Sequence, residues 1–112
     1  MSRRPVDLLI EDIWDAIEKI ERYLSGFDHD AFVKDDKTVD SVVRNLEIMG
    51  EAANRLPVDF KAKHRQIKWR KIVGLRHRIV HDYFGIDLEI IWEITQKDLP
   101  ELKSKLAQIL RR

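Results

Sequence analysis

The sequence predicts an all-α protein, a bundle of four to five helices in a single domain spanning residues 1–112. Three observations predict it. Each long apolar pattern repeats at i, i+3 and i+4, the period of a helix buried along one face. The patterns are separated by breaking or capping residues: Ser25-Gly26, Pro57, Gly85 and Pro100. No segment carries the signature of a strand, a repeat or a low-complexity tract.

The first helix opens behind Pro5, placed in the first turn where its missing N–H costs nothing. Leu9, Ile10, Ile13, Ile17, Ile20 and Leu24 form its apolar face. Residues 25–37, SGFDHDAFVKDDK, read as an acidic loop tacked to the core by Phe27 and Phe32. Thr38 is a candidate N-cap for a second helix reaching about Leu56, with Val39, Val42, Val43, Leu46, Met49, Ala53 and Leu56 inward. Gly50 lies mid-helix, where it costs about 1 kcal/mol relative to alanine, and reads as a point of close helix packing. Residues 57–67 are irregular or briefly helical. A third helix spans about 69–83 and stops near Gly85. Asp87 caps a fourth with Leu88, Ile91, Trp92 and Thr95, and Asp98-Pro100 restart a last one through Leu102, Leu106, Ile109 and Leu110.

The chain has 112 residues, 44% hydrophobic and 37% charged, with no cysteine. A disulfide framework and a thiolate metal site are thereby excluded. No run of eighteen apolar residues suggests a membrane span, and the N-terminus is not a signal-peptide core, so a cytoplasmic setting is expected. The net charge of +1 hides an asymmetry. Residues 1–59 hold 8 Lys/Arg against 14 Asp/Glu, and residues 82–112 hold 5 against 6. Residues 60–81 hold 8 Lys/Arg, three of the four histidines and no acid. Such a stretch is either a local anion-binding surface or a solvated basic loop.

On a helical wheel, Trp69, Ile72, Val73, Arg76, Ile79, Val80 and Tyr83 share one face, with Arg76 near its centre. His77 and His81 border that face, and Arg78 points to solvent. A guanidinium cannot be neutralised, so Arg76 needs a carboxylate, a phosphate or a polar cleft. In one reading Arg76 pairs internally with Glu47 or Glu51 and the histidines are surface residues. In a second, His77 and His81 ligate a metal; but Arg78 stands where a metalloprotease helix has glutamate, and only Asp82 offers a third ligand. In a third the site works on phosphate esters without metal. A histidine moves a proton near neutral pH, an arginine meets the growing phosphoryl charge, and Lys61, Lys63, Arg65, Lys68, Arg70 and Lys71 hold a nucleic-acid backbone.

The spacing Arg76-x4-His81-x-Tyr83 resembles the signature of the HEPN superfamily, and specifically its HepT-like ribonuclease toxins. The segments VVRNLEIMGEAANRLP (42–57) and IWEITQKDLPELKSKL, with Trp69 before the arginine, extend the resemblance over most of the chain. It implies a helical bundle that forms a homodimer with the two motif helices facing across a cleft. It implies metal-independent endonucleolytic cleavage of RNA, with no cofactor, by Arg76 and His81. It also implies a partner, a minimal nucleotidyltransferase antitoxin, that places adenylate on Tyr83 and can join a larger heteromeric complex. Phosphate added there would repel RNA and occlude the cleft.

Two points qualify the match. The residue after the motif arginine is often asparagine in such proteins and is His77 here, which either joins the chemistry or replaces an amide hydrogen bond. Arg44, Glu47 and Glu51 match polar family positions, to orient Arg76 or line the cleft, or else to form an intrahelical salt-bridge ladder. Lys68, Arg70, Lys71 and Arg78 are the expected RNA contacts. Arg76 and His81 lie about 140° apart on an ideal helix and so do not share one face; two copies meeting near a two-fold axis could bring them together across the interface. A different class remains open, a non-catalytic helical module that binds a nucleotidyltransferase or nucleotide.

Overall fold

The computed structural model describes residues 4–81 and 85–112, with the side chains of Val80 and His81 outside the description. Helix α1 runs Val6–Leu24 and buries Leu9, Ile10, Ile13, Ala16, Ile17 and Ile20, the expected face. Pro5 is its N-cap, one residue outside the first turn. The 25–37 segment is not all loop. Asp28 accepts a hydrogen bond from the Ala31 N–H at 2.8 Å and so caps a short α2, His29–Val33. Phe32 is fully buried and Phe27 packs at the edge of the core, as expected.

Helix α3 runs Asp36–Arg55, starting before the expected Thr38 cap. Asp35 takes that role, its carboxylate accepting from the Thr38 N–H at 3.0 Å, because a carboxylate there satisfies an orphan donor and faces the positive helix end. α1 and α3 lie along one another as the main helix pair. α4 is a short helix, Val58–Lys63.

The expected third helix differs most. It is divided at Gly74 into α5, Trp69–Val73, and α6, Leu75–Ile79. It then ends four residues short of position 83. Val80–His81 (β1) pairs antiparallel with Gly85–Ile86 (β2), in register Val80 to Ile86 and His81 to Gly85. The expectation of no strand is corrected by this small pair. Gly85 sits at φ 77°, a left-handed conformation that glycine adopts without strain. The Asp87 N–H then donates to the Ile79 carbonyl at 2.9 Å, closing the hairpin where a helix would have continued.

The two expected C-terminal helices form one rod. α7, Leu88–Glu93, passes through a π-helical turn, Ile94–Asp98, into α8, Leu99–Leu110. Pro100 marks no restart. The widened turn before it relieves the clash between the proline ring and the preceding carbonyls.

Four helical rods, α1, α3, the α5–α6 pair and α7–α8, therefore surround one core, as a helical bundle should. Ile13, Ile17, Leu46, Met49, Ile79 and Ile94 are among its fully buried members. No helix among the described residues is long and apolar enough to cross a membrane.

Candidate functional site

Gly50 places the site. A Cβ on it would stand 3.1 Å from the Ile72 carbonyl oxygen and 3.6 Å from that of Val73. Only the missing side chain lets α5 lie this close to α3, which confirms the close-packing reading. The contact sets Val73 and Arg76 opposite the polar face of α3. Between them runs a groove of about 640 Å³, lined by Arg44, Glu47, Glu51 and Arg55 of α3, by Arg76, and by Arg4 and Asp12 at the N-terminal side.

Arg76 is exposed at this groove, not centred on a buried stripe. The break at Gly74 leaves Trp69, Ile72, Leu75 and Ile79 as the buried positions, so Leu75 occupies the place expected for the arginine. Of the three things Arg76 needs, the fold provides the polar cleft. Among the described residues no carboxylate lies within ion-pairing distance of it, and the internal pair with Glu47 or Glu51 does not form.

The groove holds four arginines and three carboxylates. Two of the arginines are occupied. Arg4 meets Asp12 in two hydrogen bonds of 2.6 and 2.9 Å, and this pairing raises its pKa. Arg55 meets Glu51 at 2.9 Å. The ladder Arg44–Glu47–Glu51 is absent, since neither Arg44 nor Glu47 forms an ion pair among the described residues. What remains is Arg44 and Arg76 against Glu47, in a trough open to solvent. Two fixed cations facing one carboxylate can hold an anionic diester, while Glu47 can turn Arg76 toward it.

The other expected residues divide. His77 is exposed, as are Lys68, Arg70 and Lys71; none of the four enters an ion pair among the described residues. Arg78 does not point freely to solvent. It is half-buried and donates to Asp98 at 3.1 Å, tying α6 to the π-helical turn. His81 lies on β1, so it does not share a helix with Arg76 and the 140° wheel relation no longer applies. The side chain of His81, and Asp82 and Tyr83 entirely, lie outside the described residues. Among those described, no three His, Asp or Glu side chains gather to hold a metal ion.

Sequence reasoning missed Arg4, Asp12, Arg55 and Asp98. Glu51 and Arg55 carry a legible signal, the i, i+4 spacing of a helical ion pair. Arg4 with Asp12, and Arg78 with Asp98, join separate elements and leave no such trace.

Known proteins resemble this chain along its length. A family model described as "Ribonuclease HepT-like" matches residues 13–109. A protein named a probable ribonuclease HepT, from Thermococcus cleftensis, is 40% identical over 109 residues, covering 97% of this chain and 98% of its own. A Caldanaerobacter subterraneus subsp. tengcongensis protein provisionally named an RNase is 38% identical over 103 residues, 92% of each chain. Another of that provisional name, from Methanocaldococcus jannaschii, is 35% identical over 111 residues, 99% of this chain and 92% of its own. No solved structure matches.

Proposed function

The chain belongs to the HepT-like ribonuclease family, and on that premise we propose that it is a metal-independent endoribonuclease acting as the toxin of a toxin–antitoxin pair. One observation carries the reading. Arg76, the motif arginine, stands exposed at a polar groove, and no carboxylate among the described residues forms an ion pair with it. An arginine held this way is available to a phosphodiester.

The substrate brings its own nucleophile. The 2′-oxygen attacks the adjacent phosphorus, the bond to the 5′-oxygen breaks, and a 2′,3′-cyclic phosphate and a 5′-hydroxyl result. The proton lost by the 2′-hydroxyl is balanced by the one gained by the leaving 5′-oxygen. His81 serves as general acid or base for that transfer, with His77 as the auxiliary candidate. Arg76 stabilises the pentavalent phosphorane, where negative charge exceeds that of the ground state. Glu47 orients the guanidinium, Arg44 adds positive charge, and Glu51 holds the wall through Arg55. Two copies would face one another across the cleft as a homodimer.

Regulation follows from Tyr83. A minimal nucleotidyltransferase antitoxin transfers adenylate from a nucleoside triphosphate to the phenol oxygen, releasing pyrophosphate. The added phosphate silences the cleft by repulsion and bulk.

The test incubates the purified chain with structured and unstructured RNA in EDTA, beside His81→Ala, and identifies the product ends. Cleavage by the parent alone, leaving cyclic or 3′-phosphate ends, is the expected result. An unmodified protein that binds RNA without cutting it would make this a binding module. A mass increase of one adenylate on Tyr83 would identify the silenced form.

A further inference from the structure

A second cleft lies on the far side of the α5–α6 pair from Arg76. It encloses about 70 Å³ and opens to solvent. Its floor is apolar, made by Met49, Ile72, Leu75, Ile94 and Leu102. Its rim carries four cations, Lys68, Lys71, Arg78 and Lys105, against Asp98 and Glu101. Both acids are already engaged, Asp98 by Arg78 at 3.1 Å and Glu101 by Lys105 at 2.9 Å. Lys68 and Lys71 form no ion pair among the described residues, yet both stand near enough to Glu101 to help hold its carboxyl below the usual range, after the larger effect of Lys105.

The combination selects a ligand class. A bare anion would use the lysines and waste the floor; an apolar ligand would leave the lysines unmet. A planar ring joined to a phosphate uses both, with the ring edge on the floor and the phosphate at Lys68 and Lys71.

Position relates the cleft to the groove. Met49 and Gly50 are neighbours in α3, as are Ile72 and Val73 in α5, and in each pair the first lines the cleft and the second the groove. The two cavities thus lie back to back, separated by one helix, about 10–12 Å across with its side chains. Within α6, at about 100° per residue, His77 falls on an exposed crest between Arg76 on one side and Arg78 on the other, and Arg70 of α5 is exposed as well. The whole path, from Arg76 over the crest to Lys68, contains no acidic residue of its own.

We propose that the cleft is a nucleotide subsite. It captures a base of the RNA strand beyond the cleaved bond, with Lys68 and Lys71 holding the adjoining phosphate, so that substrate wraps over the α5–α6 crest. The proposal rests on the ribonuclease reading for its ligand.

Met49 is a built-in reporter. The chain has two methionines, at positions 1 and 49, and Met49 is fully buried under the cleft. The full chain, labelled at the methionine methyl groups with carbon-13, is titrated with uridine 5′-monophosphate, a five-nucleotide RNA and inorganic phosphate. A saturable Met49 shift with both nucleotides, lost in Lys68→Ala/Lys71→Ala, is expected. The same double variant should lower the salt slope of RNA binding by about two, one per phosphate-binding lysine. An equal shift with phosphate alone would reduce the site to an anion pocket and overturn the base-binding proposal. A chain that cleaves RNA while Met49 stays unmoved would overturn the subsite and leave the nuclease standing. Nucleotide binding at Met49 without cleavage would instead remove the nuclease and keep the subsite.

Discussion

Gly50 and Ile72 meet with no room between them: a single methyl on Gly50 would press on the Ile72 carbonyl oxygen at 3.1 Å. That oxygen belongs to helix backbone and cannot swing aside as a side-chain tip could. Gly50→Ala therefore sets two effects against each other. Alanine favours the helix by about 1 kcal/mol over glycine, while forcing apart a packed helix pair costs about 1–3 kcal/mol. The expected net is a loss of about 1 kcal/mol in urea unfolding. Cleavage should fall further than stability does, because α5 carries the wall that aims Arg76. A stabilised Gly50→Ala with full activity would show that the approach is not needed.

Arg76 offers the opposite case. It is exposed and unpaired among the described residues, so Arg76→Ala should leave stability within about 0.5 kcal/mol. If Arg76 has the proposed role of meeting transition-state charge, its loss should lower the cleavage rate by about two to three orders of magnitude. Arg76→Lys keeps the charge and loses the planar fork, and should fall between. Thermal unfolding beside single-turnover cleavage separates the two quantities. A large stability loss would mean the arginine is structural.

How much of this was legible in the sequence depends on what held each feature in place. α1 and the inner face of α3 were readable because burial of a continuous apolar face decides them locally. Leu75 and Arg76 were not. A wheel through residues 69–83 assumes unbroken phase, and the turn at Gly74 shifts burial by one residue, turning Arg76 out into the groove. The end of α6 at Ile79 escaped for a related reason: it is fixed by pairing with Gly85–Ile86, a contact made six residues later. Pro100 misled in the other direction, since proline usually stops a helix and here a π turn absorbs it. The groove's residues Arg44, Glu47, Glu51 and Arg76 were all named from sequence. Their closeness rests on Gly50, whose role was read correctly from its cost.

Arg78 and Asp98 should contribute little to stability despite a well-formed contact. Their side chains retain 34% and 36% exposure, and an ion pair that wet is worth under about 1 kcal/mol. A double-mutant cycle with Arg78→Ala and Asp98→Ala should give a coupling in that range. A coupling of several kcal/mol would mark the pair as the lock that fixes α6 on the π-helical turn.

Acid should loosen the second cleft in a defined window. Hydrogen bonding from Lys105, then its charge and those of Lys68 and Lys71, lower the Glu101 pKa below its ordinary 4.5. A depressed folded pKa means the contribution is present above 4.5 and is lost as pH falls through the lower folded value. Glu101→Gln should therefore unfold at a slightly lower temperature at pH 7, and the gap should close as pH falls below 4.5 and through the depressed folded value. A gap that persists in acid would mean packing, rather than charge, is responsible.

His81 stands on β1 and not on the arginine's helix, so mixing of subunits tests whether the two residues meet across a dimer. If Arg76 of one protomer works with the partner's His81, the Arg76→Ala and His81→Ala proteins should each be inactive alone. Mixed and re-annealed, half of the dimers are hybrids, and in each hybrid one of the two sites regains both residues. About a quarter of parental cleavage should then return, in a hybrid separable by a tag on one variant. If the two residues work within one protomer, every site in the mixture still lacks one of them, and cleavage stays at the level of the single variants.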